Sequence, residues 1–191
     1  MGAPHLPEVR AVTGPAAPEP TPGGPPDQDA YRQAFGQFAT GIAVVAATTD
    51  GITHAMTVNA LTSVSLDPLL ILVCVERAAR FHDAVLSAGT WAVSVLTEDH
   101  EKTARWLATR GRPVEDQLDG HPHHPGPVTG HPVLDDALAS LECRTYATHP
   151  GGDHTILVGQ VLSVSGPDPS AEVPGPLLYH AGRYRRLPST H

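Results

Sequence analysis

The sequence predicts a mainly β fold, an antiparallel barrel with peripheral helices. Three observations carry this. About seven runs of strand length, either apolar or alternating, follow one another along the chain. Turn signals such as Asp50-Gly51 and the segment HPGGD (149–153) join neighbouring runs as hairpins. The regular strand–helix alternation of a parallel doubly wound sheet is missing.

The elements follow in order. Residues 1–28 form a Pro/Gly/Ala tract ending PEPTPGGPPDQD, which reads as a disordered tail ahead of one domain over 29–191. Asp27 or Asp29 can cap a helix whose core positions are Tyr31, Ala34, Phe35 and Phe38. Ile42 to Thr49 is a strand, returned by the Asp50-Gly51 turn into Ile52 to Asn59. Ala78 to Ala88 reads as a helix stopped by Gly89. Trp91 to Leu96 alternates as a strand. Glu98 to Arg110 is a second helix, with Ala104, Leu107 and Ala108 facing in. A polar loop over 111–131 precedes a short helical or irregular piece from Val133 to Ala139. Leu141 to Ala147 pairs with His154 to Val164, and Leu177 to Leu187 is the last strand.

Composition narrows the function. The 191 residues carry a net charge of -8, where a nucleic-acid partner would favour a basic stripe. No apolar run approaches the ~18 residues of a membrane span. The first thirty residues have no apolar core of a secretory signal, so the expectation is a cytoplasmic protein. The two cysteines, Cys74 and Cys143, read as buried reduced thiols. Glycine-rich phosphate loops, nucleophile elbows and paired CxxC motifs are missing, as is a dinucleotide fingerprint.

The polar atoms concentrate between Ala55 and Glu76, AMTVNALTSVSLDPLLILVCVE. Two apolar runs flank a polar corner that holds Thr57, Asn59, Thr62, Ser63, Ser65 and Asp67. A buried polar group without a partner costs about 1–3 kcal/mol. Asn59 offers donor and acceptor to a heterocycle, and the hydroxyls suit ribityl or phosphate oxygens. The same hydroxyls could instead cap strand ends before Pro68. Arg77 and Arg80, with Phe81, open the following helix, where a phosphate or plain solvent would suit them. His154, beside Asp153, enters a strand and can face a ligand or simply pair with its neighbour. His121, His123, His124 and His131 have metal-like spacing, but a solvated loop is the better expectation, and no metal is expected.

Five segments together resemble the flavin reductase-like domain family, with its FMN-binding split-barrel fold. They are FGQFATGIAVVAATTDG, MTVNALTSVSLDPLLILVCVE, WAVSVL, LECRTYATHPGGDHTILVGQVLSV and PLLYHAGRY, in the family's order over roughly residues 30–187. The resemblance is strongest to reductase components that supply reduced flavin to a separate monooxygenase. It implies an NAD(P)H:flavin oxidoreductase, a homodimer, FMN or FAD as flavin, and NADH or NADPH as co-substrate. By position it gives the flavin to Met56, Thr57, Val58, Asn59, Ser63 and Ser65, and its phosphate to Arg77, Arg80 and Phe81. It places His154 near the nicotinamide and makes Tyr184 a wall of the same pocket. The phosphate turn reads Ala78-Ala79-Arg80-Phe81 where related sequences often carry serine or threonine, and Ser94 stands where many have asparagine. Two rival readings share the fold: an oxidase or oxygenase with tightly held flavin, and a non-catalytic flavin- or haem-binding module.

Overall fold

A computed structural model describes residues 24, 27–168 and 170–188. The expected tail over 1–28 therefore lies outside the described residues, apart from Gly24, Asp27 and Gln28. Helix α1 spans Gln28–Phe35, and Asp27 caps it by accepting the Ala30 N–H at 2.6 Å. Strands β1 (Thr40–Gly41), β2 (Ala43–Thr49), β3 (Ile52–Val58), β4 (Leu61–Leu66) and β5 (Leu69–Glu76) follow. Helix α2 (Arg80–Ala88) leads to β6 (Thr90–Val95), and a short 3-10 turn leads to α3 (Glu101–Ala108). The rest is β7 (His123–Pro125), β8 (Pro132–Leu134), β9 (Ala139–Gly151), β10 (His154–Ser165), β11 (Leu178–His180) and β12 (Arg183–Arg185).

Seven strands form one antiparallel sheet in the order β3-β2-β6-β9-β10-β5-β4. Its two edge strands, β3 and β4, are consecutive in the chain. Only Asn59 and Ala60 separate them, and three Cα–Cα steps span at most about 11 Å. The sheet must therefore curl until its edges meet at that link, where Ala60 O accepts the Cys74 N–H at 3.1 Å. The predicted antiparallel barrel is present in this form, with β3 and β4 unpaired along the split.

The core explains the sequence pattern of β2. Ala43, Val45 and Ala47 face the barrel interior, where Val73, Val75, Trp91, Val93 and Leu157 join Phe81 and Val85 of α2. Ile42, Val44 and Ala46 face the other way, into a second core with Ala104 and Leu107 of α3. Both faces are buried, so β2 reads as an unbroken apolar run rather than an alternation. The Asp50-Gly51 turn has φ of 51° and 77°, as a two-residue hairpin with both central residues left-handed requires. Gly89 ends α2 at φ 66°.

Several expectations are corrected. The polar corner is not a corner: Leu61–Leu66 is a full edge strand, hairpin-paired with β5 and bulged between Ser63 and Ser65. No residue of α1 is buried, because its apolar stripe faces outward from the chain. On α3, Thr103 is buried and Ala108 is not, because the helix ends there and turns away. Val133 belongs to strand β8, pinned by pairing with β7, rather than to a helical piece. The last strand is a hairpin, β11 and β12, because Ala181 and Gly182 turn with positive φ. Both cysteines are free, but Cys74 is only half-buried. Burial, then the nearby Glu142, pushes the Cys143 thiol up to about 12. Among the described residues no helix is long and apolar enough to cross a membrane.

Gly159 is set by packing. A Cβ there would collide with Trp91 Cζ2 and lie 3.1 Å from the Cys143 Cβ. Trp91 is fully buried and cannot withdraw. Gly159→Ala should lower stability by about 1–3 kcal/mol through overpacking, read by chemical denaturation; an unchanged midpoint would show that the indole can shift.

Candidate functional site

A groove of about 560 Å³ opens where three elements meet. Its floor is β3, from His54 to Thr57. One wall is the end of β5 and the start of α2, including Glu76, Arg80 and Phe81. The other is the end of α3 and the loop after it, including Leu107, Arg110, Arg112 and Gln117. The volume sits within the roughly 300–1,000 Å³ range of small-molecule sites.

Alternation along β3 builds the floor. Val58 is buried in the barrel core and Met56 packs at its margin. Ala55 and Thr57 turn toward α3, where the Thr57 hydroxyl donates to Ala104 O at 2.7 Å. The α3 wall is held by Arg112. Its Nη1 donates to Leu107 O at 2.7 Å and Thr109 O at 2.8 Å. Its Nη2 donates to Ala55 O at 2.5 Å and to Gln117 Oε1 at 3.2 Å. Gln117 Oε1 also accepts the Ala55 N–H at 3.1 Å. The guanidinium thus takes up carbonyls at the helix C-terminus, which no intrahelical donor reaches, and ties them to β3. Burial, then the charge of Arg80, lowers the Arg112 pKa.

Two further arginines cross the groove. Arg80 Nη2, from the start of α2, donates to Arg112 O at 2.6 Å. Arg110 Nη2, from the α3 loop, donates to both oxygens of Glu76, at 2.8 and 3.0 Å. His54 lies among them. Its pKa is lowered, first by burial and then by Arg80, so the imidazole is neutral near pH 7. Its Nδ1 is buried with no hydrogen-bond partner. One carboxylate therefore faces three guanidinium groups. The N-cap of α2, Ala79, has no side chain to accept from the first turn. The groove favours an anion.

The structure brings together Met56, Thr57, Arg80 and Phe81 in this groove. His154 is adjacent, paired in register with Glu76 across β10 and β5. Its Nδ1 meets Asp153 Oδ1 at 2.7 Å, and that hydrogen bond is the first cause holding the Asp153 pKa below the ordinary carboxylate range. Arg77 is exposed at the same turn, its N–H donating to Asp153 O at 3.0 Å.

The other sequence candidates lie elsewhere. Val58 is enclosed in the core. Ser63 is exposed on β4. The Ser65 hydroxyl accepts the Asp67 N–H at 3.2 Å, the capping of the turn before Pro68. Tyr184 stacks edge-on with Tyr179 at 5.5 Å and lies beneath the Arg105 guanidinium, against the second core. Asn59 lines a second, more apolar cavity of about 470 Å³, with Phe35, Phe38, Thr62, Leu72 and Cys74.

The histidines of the 121–131 loop each have a separate partner. His131 Nδ1 accepts the Thr48 N–H at 3.0 Å, which leaves Nε2 to donate to the Thr90 hydroxyl at 2.8 Å. His121 meets the Thr103 hydroxyl at 2.9 Å, and His124 meets Asp135 at 2.6 Å. Among the described residues no three His, Cys, Asp or Glu side chains gather as metal ligands.

His54, Glu76, Arg110, Arg112 and Gln117 went unrecognised in the sequence. The TRGRP segment (109–113) carried the only signal, two arginines just past a helix. Nothing local shows that Arg112 reaches Ala55, 57 residues earlier.

Residues 35–188 match the flavin reductase like domain. This chain belongs to that family. It is 40% identical over 165 residues to an NADH-dependent FAD reductase of Streptomyces globisporus, covering 85% of this chain and 87% of the relative. It is 38% identical over 170 residues to the NADH-dependent FMN reductase AsuE2 of Streptomyces nodosus subsp. asukaensis, covering 86% and 88%. Among solved structures it resembles BorF, the flavin reductase component of a bacterial two-component tryptophan halogenase. That likeness has a TM-score of 0.78 at 41% identity, over 86% of this chain and 100% of BorF.

The groove fits the family's flavin. Met56 could supply apolar contact, the arginines cations for a phosphate, and the partnerless His54 Nδ1 a partner for a ligand polar atom.

Proposed function

We propose that this protein is an NADH-dependent flavin reductase that supplies reduced FMN or FAD to a partner monooxygenase. The observation that carries the reading is the cationic groove of Arg80 and Arg110, floored by β3 and adjacent to His154. The relatives named as NADH-dependent FMN and FAD reductases support the reaction and leave both flavins open. BorF, itself one component of a two-component system, supports a separate consumer of the reduced flavin.

A flavin held here would supply the redox chemistry, as acceptor of the nicotinamide hydride. The chain's own residues bind and orient. Arg80 engages the phosphate of the flavin, with Arg77 at the outer edge of the turn. Met56 gives the groove its apolar surface, and Phe81 anchors the start of α2 in the barrel core beneath it. Thr57 is spent on Ala104 O, so it fixes β3 against α3 rather than offering a free hydroxyl. Asn59, just past the end of β3, would meet the far end of a ligand that runs along the strand. Val58 supports the floor from within the core. His154, oriented by Asp153, holds the nicotinamide rather than transferring a proton. Alignment of two bound reactants is sufficient for such a transfer.

We further propose that the protein works as a cytoplasmic homodimer. Tyr31, Phe35 and Phe38 are 61%, 56% and 66% exposed and lie side by side, with ring centroids 5.8 Å apart. Phe35 and Phe38 border the apolar cavity that Asn59 also lines. An aromatic surface of this kind is normally covered, and a second copy would cover it. The free thiols suit a reducing compartment.

Purified protein should oxidise NADH only when FMN or FAD is added. Turnover without flavin, or none with either flavin, would contradict the reading. His154→Ala should raise the NADH KM more than it changes flavin affinity, and the reverse pattern would remove His154 from that role. Sedimentation equilibrium should show a dimer that Phe35→Ser with Phe38→Ser shifts to monomer. A doubly substituted protein that stays dimeric would place the interface elsewhere.

A further inference from the structure

The two arginines of the α3 loop differ in a way that matters for ligand capture. Arg112 is locked, with all four acceptors of its Nη groups on the protein. The Arg110 side chain is 84% exposed, and among the described residues its one hydrogen-bonding partner is Glu76. A pair with so exposed a cation is held weakly. Its nitrogens beyond Nη2 are free for a second acceptor. Glu76 stands at the end of β5, so the pair spans the groove mouth from one wall to the other.

We infer that Arg110 is a phosphate-capturing strap: Glu76 holds it across the groove, and an incoming flavin nucleotide takes it over through its phosphate. The inference rests on the flavin reading of this groove and extends it to two residues. Three features support it. A phosphate dianion offers a guanidinium a charge-assisted fork with more negative charge than a carboxylate carries. Glu76 is the one carboxylate among the groove's lining residues, and Arg110 neutralises it while the groove is empty. Arg80 reaches the same space from the opposite wall and is itself steadied by Arg112 O. A phosphate in the groove would then lie between Arg80 and Arg110. Glu76 acts as a counterweight that keeps the empty groove from collecting other anions and sets how tightly the nucleotide is held.

The test compares FMN with riboflavin, which lacks the phosphate, by fluorescence titration of the full-length protein at low salt. Arg110→Ala should lower the ratio of FMN to riboflavin affinity about tenfold, and Arg110→Lys should restore part of it. Glu76→Gln should move the same ratio the other way, several-fold in favour of FMN, and the gain should shrink as salt rises. An unchanged ratio in Arg110→Ala, or a Glu76→Gln protein that loses FMN preferentially, would overturn the strap. Wild-type protein that binds neither FMN nor riboflavin would instead overturn the flavin reading itself, and the strap with it.

Discussion

The site depends on one half-buried cation. Arg112 gathers the last carbonyls of α3 and the backbone of Ala55 into a single set of donors, with Gln117 completing it. Without that knot the α3 wall would have no fixed distance from the β3 floor, and Arg110, two residues earlier, would have no fixed origin. Hydrogen bonds from a charged donor are worth about 1.5–3 kcal/mol each, and leaving buried carbonyls without a donor costs as much again. The orientation of the helix favours it too, since a cation at a helix C-terminus meets the negative end of the dipole. The Nε of Arg112 is nonetheless buried without a partner. The arrangement is thus paid for by desolvation, which is why burial leads the lowering of its pKa.

The barrel and the groove are linked through β3. Its Met56 and Val58 close the barrel core, and its Ala55 and Thr57 meet α3. The two-residue link from β3 to β4 then forces the sheet to curl. One strand therefore sets the barrel's split, the floor of the cationic groove and the position of Asn59 at the edge of the second cavity. The two cavities divide by chemistry. One is lined by arginines and a carboxylate, and the other by Phe35, Phe38, Leu72 and Cys74. The first suits the charged end of a nucleotide. The second suits apolar cover.

Local chemistry made much of the fold legible. Asp27 as a cap, Asp50-Gly51 as a hairpin and Gly89 as a helix stop need only their own neighbours, and each is found where the sequence puts it. Burial was harder. The stripe of Tyr31, Phe35 and Phe38 has core spacing, yet spacing does not say whether the surface that covers it belongs to the same chain. The hydroxyls of β4 looked like a corner because an edge strand exposed on both faces carries no alternation to read. In the site, Met56, Thr57, Arg80 and Phe81 sit on segments whose pattern marks them. Arg110, Arg112 and Gln117 were hidden because their partners are distant in sequence. Tyr184 was drawn to the pocket by resemblance, but its ring is held by Tyr179 and Arg105.

The most direct measurement is a crystal structure of the protein soaked with FMN. The account requires the phosphate between Arg80 and Arg110, with the ring system running along β3 toward Asn59. A phosphate bound outside that groove, with the Arg110–Glu76 pair intact, would contradict it.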